Sequence, residues 1–131
     1  MKTPKQEEVQ LLDIQLITTL LYVGSLVLSI AITYHDRTKI LKQTSPITDE
    51  QAIAFSKFNR FLVLGLTLAY LYVNYKNVDL AKEKGEDLTP FRLQVTASEL
   101  STLSAIIVLY VVLKTAGSQY GVVIGAENPN L

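Results

Sequence analysis

The chain has no cysteine and a single histidine, His35, among 131 residues. Disulfides, thiolate nucleophiles and cysteine-ligated zinc or iron–sulfur centres are thereby excluded, and one imidazole cannot build a multi-histidine metal site. Net charge is also absent, because 12 Lys and Arg balance 12 Asp and Glu. Nucleic-acid-binding domains and polybasic membrane patches rely on a basic excess, so no nucleic-acid partner is expected. Charged residues are scarce at 18%, against about 25% in soluble domains. The sequence carries no phosphate-binding glycine loop, serine nucleophile elbow or HExxH pattern; the GVVIG segment in the tail lacks both the spacing and the strand-to-helix context. No catalytic residue, metal ligand set or cofactor is expected, and an enzyme is the least supported class.

What the chain does have is long hydrophobic runs. Residues 14–34 are 21 consecutive uncharged positions, enough at ~1.5 Å per residue to cross a ~30 Å hydrocarbon layer. A cleaved signal peptide would need a basic leader and a shorter core, whereas Glu7, Glu8 and Asp13 precede this run. Residues 61–75 and 100–113 are uncharged for 15 and 14 positions, lengths that also suit buried soluble helices. Their apolar residues cover the whole circumference instead of one stripe, with eight in a row from Ile106 to Leu113. A chain this small cannot bury two such helices in water. The runner-up architecture is one membrane anchor carrying a soluble two-helix unit. The expected fold is therefore an all-α membrane protein, a single three-helix membrane domain over residues 1–131, with spans at about 14–34, 58–76 and 96–114.

Local signals place the helix ends. Thr3-Pro4, Ser45-Pro46 and Thr89-Pro90 each set a hydroxyl before a proline suited to the first helical turn; Gln6 three residues after Thr3, and Thr48 ahead of Asp49, Glu50 and Gln51, support the first two, while Thr96 with Glu99 offers a competing third start. Gly85 and Gly117 can end the second and third helices, while the first has no glycine stop. Helices over about 4–43 and 46–84 follow, both extending beyond the bilayer. The starts lie 42 and 44 residues apart without other residues recurring in register, so no repeat is inferred. Residues 118–131, with Gly121, Gly125 and Pro129, are expected to form an irregular tail.

Six basic residues fall on each side of the membrane, so the positive-inside count is tied. Antiparallel alignment sets Arg60 level with Ser29 and Lys114 level with Arg60, gathering a basic belt; Asp13 and Glu99 collect at the other face. A basic belt suits an anionic cytoplasmic leaflet, which puts the amino terminus outside and the carboxyl terminus inside. A bacterial cytoplasmic membrane is the expected setting.

Small residues at four-residue spacing suggest where helices approach: Ser25 and Ser29 (with Thr33), Gly65 and Ala69, and Ala97, Ser101 and Ala105. Packing within one bundle is the reading that asks least, and packing against another protein is its rival; either way Gly65→Leu is expected to do more harm than Leu66→Ala. Arg60 and Lys114 are expected to snorkel to headgroups, with a clamp on a phosphate or carboxylate as the sharper alternative. Asp13 and Glu99 sit at span ends, where an interfacial or capping role competes with an ion path. His35 and Asp36 suit an ordinary helix end. Tyr34, Tyr72, Tyr75 and Tyr110 read as interfacial anchors. The expected function is a noncatalytic small membrane protein, a subunit or scaffold whose partners are the bilayer and other membrane subunits or itself. The alternative is a self-assembling pore, small transporter or holin-like protein, which needs a wet polar face through the bilayer.

Overall fold

The computed structural model of the chain describes residues 2–115. It has three helices: α1 (Pro4–Ile40), α2 (Asp49–Lys84) and α3 (Thr89–Thr115). Each is long and apolar enough to cross a membrane. At ~1.5 Å per residue, α1 and α2 reach roughly 55 Å, so both extend beyond a ~30 Å hydrocarbon core. Gly117 and the expected tail at 118–131 lie outside the described residues.

Capping explains the boundaries. At the start of α1, Thr3 and Gln6 form a reciprocal capping box, with Pro4 as the first helical residue. The start of α2 differs from the expected Ser45-Pro46. Thr48 caps instead, accepting from the Gln51 amide at 3.1 Å while the Gln51 side chain accepts from the Thr48 amide at 3.0 Å. Ser45 is engaged elsewhere, so α2 opens at Asp49 and not at residue 46. The opening of α3 lies at the expected Thr89-Pro90, although the Thr89 hydroxyl is not the cap: the Asp87 carboxylate accepts from the Thr89 amide at 3.1 Å, and the ladder opens with the Arg92 amide donating to the Leu88 carbonyl. Thr96 and Glu99 lie well inside α3, with the Thr96 hydroxyl donating to the Arg92 carbonyl. No capping box forms there.

Two helices end in the same way with different residues. Gly85 takes φ 69°, and the Glu86 amide donates back to the Ala81 carbonyl at 3.0 Å. At the end of α1, Lys42 takes φ 55° and the Gln43 amide donates to the Thr38 carbonyl at 2.8 Å. Both are Schellman closures with the left-handed residue just past the cap. The first helix thus does have a stop, at residue 40 and not 43, carried by a lysine where glycine is the easier occupant.

The helices pack in sequence order. α2 lies against α1 on one flank and α3 on the other, and no Cα atoms of α1 and α3 approach within 8 Å. Burial is inverted relative to a soluble bundle: Leu20 and Ile30 are 72% and 69% exposed, whereas Ser25 and Asn59 are fully buried and Arg60 is 1% exposed. Lipid tails are as apolar as leucine, so apolar side chains gain little by turning inward, while polar groups must find partners inside the protein. Among the described residues one apolar cluster joins Leu11, Val73 and Leu80, with Ile14 against them, near the amino end of α1.

The two closures predict opposite responses. Lys42→Gly should stabilise the fold by up to about 1 kcal/mol, and Gly85→Ala should cost about 1 kcal/mol, because only glycine meets φ > 0 without a Cβ penalty. Thermal unfolding in detergent, followed by circular dichroism, checks this; a destabilised Lys42→Gly variant would contradict it.

Candidate functional site

The α1–α2 seam is held by a buried amide. Asn59 lies about three turns into α2, where its Oδ1 accepts from the Ser25 hydroxyl at 2.6 Å and its Nδ2 donates to the Ser29 hydroxyl at 2.9 Å. One carboxamide thus bridges two serines a helical turn apart. Deeper along the seam the Thr19 and Tyr70 hydroxyls lie 3.1 Å apart. Beyond the bilayer, Lys84 pairs with Glu8 and brings the far ends of the two helices together.

On the other flank of α2, the Asn74 amide donates to the Ser98 hydroxyl, and the Tyr75 hydroxyl donates to the Glu99 carboxylate at 2.7 Å. Continued antiparallel along both helices, that pairing sets Lys114 level with Arg60, as the sequence alignment expects.

Between the two seams lies a groove of about 930 Å³. Its α1 wall carries Gln15 and Tyr22, its floor is α2 from Val63 to Asn77, and its α3 wall carries Phe91 and Leu100 as well as Gln94, Ala97, Ser98, Ser101 and Ser104. The floor alternates Val63, Leu66 and Val73 with Thr67, Tyr70, Asn74 and Asn77. Fourteen helical steps of ~1.5 Å make it roughly 21 Å long, about two thirds of the hydrocarbon thickness. Towards the first loop it gives out: Ile32, Ser56, Arg60 and Val112 are all buried there. Hydroxyl and carboxamide groups therefore share with apolar side chains the lining of a notch that stops short of the first-loop end.

Past the closed end sits a latch. His35 is 5% exposed; its Nε2 is 2.7 Å from the Asp49 carboxylate and its Nδ1 is 2.7 Å from the Ser45 hydroxyl. A carboxylate only accepts, so Nε2 carries the proton, and the Ser45 oxygen also accepts from the Ile47 amide at 3.3 Å. Lys39 lies 3.6 Å from the second Asp49 oxygen. The hydrogen bond from His35, aided by the charge of Lys39, holds Asp49 below its ordinary value of 3.8. The latch ties the end of α1 to the first turn of α2.

The residues singled out from sequence divide sharply. Ser25, Ser29 and Ala105 are buried between helices. Ala69 is half-buried. Ala97 and Ser101 are exposed on the groove wall. Gly65 is exposed, and a Cβ placed there meets nothing within 4 Å. Packing of Gly65 inside the bundle is therefore corrected, because α2 turns that position away from both neighbours. Arg60 does not reach outward to headgroups as expected, being buried beside Asn59. Lys114 is exposed, with its ammonium 5.8 Å from the Tyr110 ring centre. Asp13 is exposed, and Glu99 serves Tyr75 instead of capping. Asn59 and the His35 latch were missed. Asn59 sits just before the uncharged run that begins at Phe61, the only sign in the sequence that it lies close to membrane depth. Among the described residues no three of His, Cys, Asp and Glu converge on a metal site.

No protein-family model, curated protein or solved structure matches the chain.

Two measurements test this geometry. Leu66 is 4% exposed, so Leu66→Ala should cost roughly 2 kcal/mol through the packing contacts it loses, while Gly65→Leu should leave the isolated chain at wild-type stability or slightly above. That reverses the order expected from sequence, and a strongly destabilised Gly65→Leu would restore it. The second concerns pH. Because Asp49 is held below 3.8 in the folded chain, the native state binds fewer protons than the unfolded one; its contribution is fully present above about 3.8 and is lost as pH falls through the lowered native value. Asp49→Asn should flatten stability against pH in that acid window, and an unchanged slope would separate the latch from acid unfolding.

Proposed function

We propose that this chain is a noncatalytic subunit of a membrane complex, contributing three helices to a bundle whose fourth comes from a partner. The observation that carries this reading is the notch. In a four-helix bundle each helix touches two neighbours and faces a third across the diagonal. Here α2 touches both α1 and α3, which do not approach each other, so the chain occupies three corners and leaves the fourth open. Polar side chains line that corner at a depth where lipid offers no hydrogen bonds.

A pore or small transporter is the second reading, favoured by the same hydroxyl and carboxamide lining. The blind end counts against it, since a conducting path must also cross the buried region around Arg60. We place the carboxyl terminus in the cytoplasm of a bacterial cell, on the side where Arg37, Lys39, Lys42, Lys57 and Lys114 gather.

Purification in mild detergent should retain a partner subunit in fixed ratio, and Ser101→Leu, which fills the notch, should release at least nine tenths of it from a still-folded chain. A carboxyl-terminal reporter should read as cytoplasmic. A homogeneous homo-oligomer that conducts ions in liposomes would replace the subunit reading with the pore.

A further inference from the structure

Resting on the subunit reading, we infer that the notch takes a transmembrane helix of a different protein, one that presents a row of carboxamide or hydroxyl side chains to Gln15, Asn77, Gln94 and Ser101. A second copy of this chain does not fit that description. Its outward faces at mid-depth are hydrocarbon: Leu20, Val27 and Ile30 on α1, Phe61 and Leu68 on α2, and Ile107 on α3 are all exposed apolar residues. None of these offers a donor or acceptor.

The geometry suits a helix. Packed helices lie 8–10 Å apart, and a fourth helix seated against α1 and α3 at that spacing closes the square around the floor of α2. The notch runs for roughly 21 Å along α2, about four turns, so the incoming helix meets it with positions three, four and seven residues apart. The walls ask for the same chemistry on both sides: Gln15 from α1 faces Gln94, Ser101 and Ser104 from α3. Carboxamides and hydroxyls both donate and accept, so they pair with such a lining in either rotamer, whereas a leucine face would leave it unpaired.

The probe is a synthetic transmembrane peptide, a polyleucine helix carrying Asn and Ser at three- and four-residue spacing on one face, compared with an all-leucine helix of the same length. The chain has no cysteine, so Lys82→Cys gives a single labelling position near the second-loop end, and energy transfer to labelled peptide is read in lipid nanodiscs at peptide dilutions where the peptide alone is monomeric. The polar-faced peptide should bind at least tenfold more tightly than the all-leucine one. Ser101→Leu should remove that preference, and Gly65→Leu, on the opposite face of α2, should keep it. Equal binding of both peptides overturns the inference, as does binding of neither, which would leave lipid or water as the occupant. Energy transfer between labelled chains that competes with the peptide also overturns it, in favour of a second copy. If a natural partner co-purifies and is lost on Ser101→Leu while neither peptide binds, the subunit reading stands and the polar-helix inference falls.

Discussion

In a bilayer the polar side chains, not the apolar ones, decide which faces of a helix turn inward, and everything in this chain follows from that constraint. Water is not available to hydrogen-bond a buried carboxamide or hydroxyl, and hydrocarbon surface gains nothing by being hidden. Asn59 is the clearest instance: fully buried, it uses its oxygen on Ser25 and its nitrogen on Ser29. Rotating α2 about its axis would break both bonds at once, so one residue fixes the angular position of α2 against α1 as well as its height. Interhelical bonds of this kind contribute on the order of 1 kcal/mol each, modest alone. Their worth here lies in the fact that few competing rotations satisfy both groups.

The same logic repeats on the other flank, and it separates the neighbours. Tyr75 and Asn74 address α3, while Asn59 and Tyr70 address α1. Because the two sets occupy different flanks of α2, the outer helices are held apart instead of closing into a triangle. A three-helix triangle would bury more surface within the chain. The notch is therefore built by specific bonds, and it exists because α2 is bonded on two sides.

What could be read from the sequence was local. The three apolar runs, the Thr3–Gln6 box, the proline at the start of α1 and the Gly85 stop all depend on residues within a turn or two of each other. Even the relative heights of Ser29, Arg60 and Lys114 follow from counting back from short turns. Rotation about the helix axis was not legible, because runs that are apolar all round have no stripe to say which side faces inward. That is why Gly65, with the composition of a packing residue, points outward, and why Arg60, read as a snorkelling side chain, is buried. The His35 latch escaped for a related reason: its partners lie 10 and 14 residues away across a turn, a distance at which no periodic pattern connects them.

The latch and the notch stand at opposite ends of one device. At the first-loop end, His35, Ser45 and Asp49 clamp the end of α1 to the start of α2, and buried residues close the space between helices. At the other end, the second turn is short and α3 begins at Thr89, so the walls rise from a rigid corner but meet nothing across the notch. A helix entering there would find its lining already oriented, since Ser98 is held by Asn74 and Tyr70 lies against Thr19 before any partner arrives. Association then costs little ordering of side chains, which is the usual obstacle to using weak polar contacts for recognition. In the complex proposed above, preorganisation of the walls, more than the number of polar groups, is what would let a shallow row of hydroxyls and carboxamides select one helix among many in the membrane.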